Sequence, residues 1–107
     1  MSAIRVKEWD TIALRCMYQQ NDGTPITLSG VEILSSMKPY YGGLPHHMRV
    51  EVEDEALGIF TLYSDEEHLS PAKYLVDILF QNTLTLTRIS SETFEVMVVP
   101  AITSPKE

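Results

Sequence analysis

Cysteine is almost absent from this 107-residue sequence. Cys16 is the only one, so the chain can form neither an internal disulfide nor a metal cluster held by several thiolates. Cys16 falls in register with apolar neighbours two residues away on either side. We therefore predict that its side chain belongs to the core of the protein.

Basic residues and long apolar runs are also scarce. Eight Lys and Arg stand against fifteen Asp and Glu, which gives a net charge of -7 at pH 7. Such a chain repels phosphate backbones and anionic lipid, so we expect neither nucleic acid nor a membrane as its partner. No apolar run approaches the roughly 18 residues that a membrane span needs. The first ten residues become charged too early for a signal peptide, so we expect synthesis in a cytoplasm.

Motifs that carry chemistry are missing as well. The sequence contains no H-E-x-x-H, C-x-x-C, G-x-S-x-G or phosphate-binding loop. His46 and His47 are adjacent, so on an extended chain they point in opposite directions and share one ion poorly. The acidic clusters at 51–55 and 65–67 lie on turns or on polar sides of strands, and lack the spacing of a calcium loop. We expect no catalytic residue, no cofactor and no metal.

What the sequence does contain is period-two alternation in short segments. Ile12, Leu14, Cys16 and Tyr18 form an apolar face, while the residues between them form the opposite face. This alternation is typical of a half-buried β-strand. Similar patterns predict seven strands, at Thr11–Tyr18, Val31–Lys38, Met48–Glu53, Ile59–Tyr63, Lys73–Phe80, Thr83–Ile89 and Thr93–Val99.

The segments between these strands carry turn signals. Asp22-Gly23 predicts a tight turn, 40–47 an exposed loop, and Gln81-Asn82 the turn of a hairpin. The S-x-x-E pattern that begins at Ser64 predicts one or two helical turns running toward Leu69. Seven short strands with turns every 8 to 14 residues predict an all-β, immunoglobulin-like antiparallel sandwich. We expect one domain over 1–107, with a core at about 9–100 and a polar tail at 101–107.

Candidate contact residues are the aromatic side chains at the ends of the predicted strands. Aromatic rings bring a large contact area at a low cost in entropy. Trp9 is expected either to cap the end of the core or to contact a partner. Tyr40 and Tyr41 are expected either to pack within their loop or to form a contact surface. His46 and His47 share that loop and complete the candidate partner-contact set.

The order of these segments resembles a known family. Asp22-Gly23-Thr24-Pro25 followed by Leu28 and Gly30 is similar to the D-G-x-P-x-x-L-x-G opening of short tail-associated bacteriophage proteins. The N-terminal domain of phage baseplate upper proteins has the same opening. Gly58 to Leu62 resembles their G-x-x-x-L strand, and 69–78 resembles their L-x-x-G-x-Y-x-x-D-I strand. The resemblance continues to a V-x-P exit at 98–100. Ala72 departs from the usual glycine, and so does the segment 91–93.

The resemblance implies a structural component of a bacteriophage or prophage particle. Such a component has an immunoglobulin-like fold and assembles with other phage proteins into a symmetric tail or baseplate. Such a component resides in the virion after assembly in the bacterial cytoplasm. The resemblance also implies that the chain forms a homo-oligomer. No catalytic residue carries over. The alternative from the residues alone is a carbohydrate- or receptor-binding sandwich that uses Tyr40, Tyr41 and Trp9.

Overall fold

A computed structural model describes residues 4–105 of the chain. The eight strands are β1 (Ile4–Lys7), β2 (Ala13–Met17), β3 (Val31–Pro39), β4 (His46–Asp54), β5 (Ile59–Tyr63), β6 (Ala72–Asn82), β7 (Arg88–Ser90) and β8 (Phe94–Val99). These strands account for about half of the chain, and none of the described residues forms a helix. Residues 4–105 thus contain no helix long and apolar enough to cross a membrane.

The strands form one curled mixed sheet in the order β1-β8-β6-β3-β4-β5-β2. Strand β7 pairs with the C-terminal part of β6, on the same edge as β8. All pairs are antiparallel except β1 with β8. Strand β4 joins two halves of the sheet, because 46–48 pair with β3, whereas 49–52 and Asp54 pair with β5. We call β1, β8, β7, β6 and β3 the large half, and β5 with β2 and the end of β4 the small half.

The core lies between the two halves. Phe80 of β6 stacks on Tyr18 with ring centroids 4.0 Å apart, and meets the edge of Phe60 in β5 at 5.9 Å. Val76, Leu62 and their neighbours fill the rest of the same layer. Each fully buried apolar side chain of this size contributes roughly 1.5–3 kcal/mol through removal from water. The core thus holds the halves together, inner face against inner face.

The predicted alternation is confirmed in β2, β3, β6 and β8. Ile12 is buried and Leu14, Cys16 and Tyr18 are half-buried, whereas the residues between them are exposed. Burial raises the pKa of the Cys16 thiol, as expected for a side chain in a core. The all-β prediction is therefore confirmed. Because the two halves are continuous through β4, the immunoglobulin-like form of the sandwich is not confirmed.

The helical turns predicted after Ser64 are wrong. The Ser64 hydroxyl accepts a hydrogen bond from the backbone N–H of Glu66 at 3.3 Å, which closes a short turn instead of capping a helix. The segment 64–71 then crosses between the sheet halves without regular structure.

The predicted turn at Gln81-Asn82 is also wrong, since both residues belong to β6. The Asn82 side chain accepts the N–H groups of Leu84 and Thr85 at 2.9 and 3.0 Å, and this organises a turn over 83–87. The strand predicted over Thr83–Ile89 is accordingly reduced to β7. The predicted turn at Asp22-Gly23 is confirmed, because Gly23 has a φ of 89° and donates to the Gln20 carbonyl.

Candidate protein-contact surfaces

The five predicted contact residues lie at one end of the sheet. The ends of β1, β8 and β3 and the starts of β6 and β4 meet there, as the pairing registers require. Trp9 follows β1 and is half-buried, with its ring 4.2 Å from that of His68. The Trp9 ring thus packs on the segment 64–71, which crosses between the sheet halves, and does not project freely into solvent. Its role in a contact surface stays a prediction.

Tyr40 and Tyr41 form the turn that follows β3. They are 53% and 88% exposed, and their rings meet edge to face at 5.2 Å. The Lys73 ammonium lies 4.9 Å from the centre of the Tyr40 ring, a cation–π distance that holds this ring in place. Tyr41 is the freer of the two rings and faces solvent.

The histidines lie in β4 and not in the exposed loop, which corrects the predicted loop to 40–45. They point in opposite directions, as adjacent residues of a strand do. His46 Nδ1 lies 3.1 Å from Glu66 Oε1, and His47 Nδ1 lies 3.3 Å from Ser36 Oγ. Both histidines therefore have partners within the chain. Among residues 4–105 no three or more His, Cys, Asp or Glu are grouped to hold a metal ion.

Charged contacts fasten the crossover segment 64–71 to the sheet. Arg49 reaches Asp65 at 3.2 Å, and this contact raises the pKa of the Arg49 guanidinium. Near the other end of the segment, His68 Nε2 lies 2.9 Å from Glu8 Oε2. The other Glu8 oxygen accepts the N–H of Ala101 at 3.0 Å. The hydrogen bond from His68, followed by that from Ala101, lowers the pKa of Glu8 below its ordinary value of 4.5.

Sequence reasoning missed a second surface, on the side of the large half that faces away from the core. We call it the outer face. Its apolar side chains are Leu34, Leu75, Leu79, Met97 and Val99. Leu34 stands directly beside Leu79 and is 47% exposed, and the other four are half-buried. The signal was present in β6, where Tyr74 to Phe80 is apolar on both faces except at Asp77. Such a continuous run is typical of strands covered on both sides.

The outer face also carries cations that form no ion pair with the residues that the structure describes. Directly opposed residues share a face of a sheet, and the register places Arg5 beside Met97, Lys38 beside Leu75, and Arg88 beside Gln81. Lys7 occupies the same side of β1, beside Val99. Within residues 4–105 none of these four cations makes an ion pair.

The other three described basic residues are ion-paired. Arg15 reaches Glu53 at 3.0 Å, Arg49 contacts Glu51, and Lys73 lies 3.7 Å from Glu95. Of these, Arg15 and Arg49 lie on the small half, whereas Lys73 lies on the outer face. The outer face is thus an apolar strip that is flanked by basic side chains. Two of the molecule's open grooves lie along this strip.

The fold and these surfaces define an all-β protein with an uncovered, basic outer face. The chain matches no known protein-family model and no curated protein sequence.

Proposed function

We propose that this chain is a non-catalytic assembly protein that acts through protein–protein contacts. The observation that supports the proposal is the outer face, where β6 presents Leu75 and Leu79 to solvent next to Leu34. A contiguous apolar surface rimmed by charge is the usual mark of a protein contact site. Covering it removes apolar area from water, which favours association.

The particle to which the protein belongs is a further part of the proposal. The ordered resemblance from Trp9 to Pro100 favours a bacteriophage or prophage component of the tail or baseplate. The partners are then other phage structural proteins and further copies of the chain, and the protein resides in the virion. A symmetric particle repeats one modest contact many times, so weak pairwise affinity is sufficient for stable assembly.

Co-purification with the products of neighbouring genes tests this proposal. The chain is co-expressed with each neighbour, as wild type and as the double variant Leu34→Glu with Leu79→Glu. We expect a neighbour to co-purify with the wild type and to be lost with the variant, because two carboxylates would be buried on the contact surface. The control is Leu84→Glu, an exposed residue in the 83–87 turn. A monomeric chain that binds no co-expressed neighbour contradicts the proposal.

A carbohydrate- or receptor-binding module is the second candidate. The exposed pair Tyr40 and Tyr41 favours it, because sugar rings stack on accessible aromatic faces. This reading predicts a signal on a glycan array that Tyr41→Ala abolishes and Leu84→Ala leaves unchanged. An array without signal for the wild type would exclude glycan binding among the sugars displayed.

A further inference from the structure

We infer that the outer face binds the acidic side of the small half of a second copy, so that copies associate head to tail. The inference rests on the proposed assembly function and names the two surfaces that form the contact. Basic side chains on the outer face that are unpaired among residues 4–105, and acidic side chains on the small half, supply opposite charges, and the two surfaces face in opposite directions.

The outer face supplies the basic side of the contact. The chain has a net charge of -7, yet within residues 4–105 Arg5, Lys7, Lys38 and Arg88 have no ion-pair partner. All four project from this one side. Among the strands that the structure describes, the carboxylates on this face are those of Glu32, Asp77 and Glu95, and Glu95 is paired with Lys73. A partner that covers the apolar strip must therefore bring negative charge to its rim.

The end of β4 and the following turn supply the acidic side. Glu51, Glu53, Asp54 and Glu55 follow one another there. The Asp54 carboxylate accepts the N–H of Leu57 at 3.1 Å, and Glu55 makes no ion pair with any of the residues 4–105. In the described part of the small half, the basic residues that offset this charge are Arg15 and Arg49. Apolar area accompanies it, since Met17 of β2 is 52% exposed and Leu57 is 46% exposed.

The two surfaces face in opposite directions. The halves pack inner face to inner face, as the contact between Phe60 and Phe80 shows, so the outer face and the acidic side are on opposite sides of the molecule. A contact between them leaves one of each surface free on every pair of copies. Such a heterologous contact closes into a ring or continues as a filament.

A second copy is the occupant that the charges favour. Two outer faces placed against each other would oppose cation to cation, and like charges across an interface cost affinity. The acidic side of another copy offers the opposite charge together with exposed apolar side chains. The contact therefore joins unlike surfaces, and a twofold dimer through the outer face is disfavoured.

Charge exchange between the two surfaces tests the inference. The first variant, Arg5→Glu with Lys38→Glu, makes the outer face acidic. The second, Glu51→Lys with Glu55→Lys, makes the acidic side basic. All four residues are exposed, so both variants should fold, and thermal unfolding checks this. In each variant alone both surfaces carry charge of the same sign, and we expect association to weaken roughly tenfold or more.

The decisive arm mixes the two variants in equal amounts. Each outer face then meets a small half of opposite charge, so the mass measured by light scattering should return to that of the wild type. A control with Gln20→Lys and Asn21→Lys changes the net charge in the same sense as the second variant, at the exposed 20–24 turn, and should associate as the wild type does.

Three results would overturn the inference: a wild type that remains monomeric, a variant that associates alone as strongly as the wild type, or a mixture that remains monomeric. None of these results decides the proposed assembly function. That function is judged separately, by whether a neighbouring gene product co-purifies through the outer face.

Discussion

Gly58 is the glycine at which the surrounding backbone leaves least room for a side chain. It has a φ of +70°, and a Cβ placed there would lie 2.5 Å from the Ile26 carbonyl oxygen and 2.7 Å from that of Tyr18. We expect Gly58→Ala to lower the free energy of unfolding by about 2–4 kcal/mol, from backbone strain and overpacking together. Urea denaturation measures the change.

Gly23→Ala is the matched control for this substitution. Gly23 has a φ of +89° but nothing within 4 Å of the added Cβ, so only the backbone strain of about 1 kcal/mol applies. Equal losses at the two positions would show that the close approach of the carbonyl groups at Gly58 does not contribute.

Glu8 gives the protein a stability that depends on pH. Because its pKa in the folded state is lowered, ionised Glu8 stabilises the fold above its ordinary pKa of 4.5. That contribution is lost as the pH falls from 4.5 through the lower folded value. We expect the melting temperature of the wild type to fall more steeply over this range than that of Glu8→Gln. Thermal unfolding at a series of pH values checks this, and parallel curves would contradict it.

At the scale of the element, Ser91 supplies backbone hydrogen-bond partners at a point on the edge of β6 where neither β7 nor β8 pairs. Strands β7 and β8 pair with the same edge of β6, and Ser91 lies between them. Its hydroxyl accepts the N–H of Ile78 at 2.9 Å, and its own N–H donates to the Ile78 carbonyl at 2.8 Å. The side chain thus takes the place of a missing rung of the ladder.

We expect Ser91→Ala to destabilise the fold by about 1–3 kcal/mol, because it removes the acceptor of a backbone N–H next to a buried strand position. Chemical denaturation measures this loss. Ser90→Ala is the control, since Ser90 is an exposed neighbour in β7, and it should cost far less. A loss at Ser91 no larger than that at Ser90 would mean that water replaces the hydroxyl.

Most strands could be predicted from the sequence, since one-sided burial leaves a period of two. Strand β1 could not, because Ile4–Lys7 has only four residues and its pairing with β8 is non-local. The errors at Ser64 and Asn82 share a cause. Each side chain bonds a nearby backbone N–H in a turn, which competes with the helix or hairpin that the local pattern favours.

At the scale of the whole molecule, the aromatic contact candidates could be named from the sequence, whereas the outer face left a signal in β6 alone and could not be assembled from it. Trp9, Tyr40 and Tyr41 are noticeable in any sequence because of their residue type. The outer face depends on which sides of β3, β6 and β8 are aligned, and this register is set by tertiary pairing. The sequence likewise does not show that Lys38 and Arg5 lack ion-pair partners among the described residues, because ion pairing depends on the tertiary structure.

The central claim is that the uncovered outer face makes this chain associate with copies of itself. Light scattering of the purified wild type across a concentration series tests the claim most directly. We predict a mass that rises with concentration above the 12.1 kDa of one chain. We also predict that Leu34→Glu with Leu79→Glu abolishes the rise. A wild-type mass of one chain at every concentration would contradict the claim.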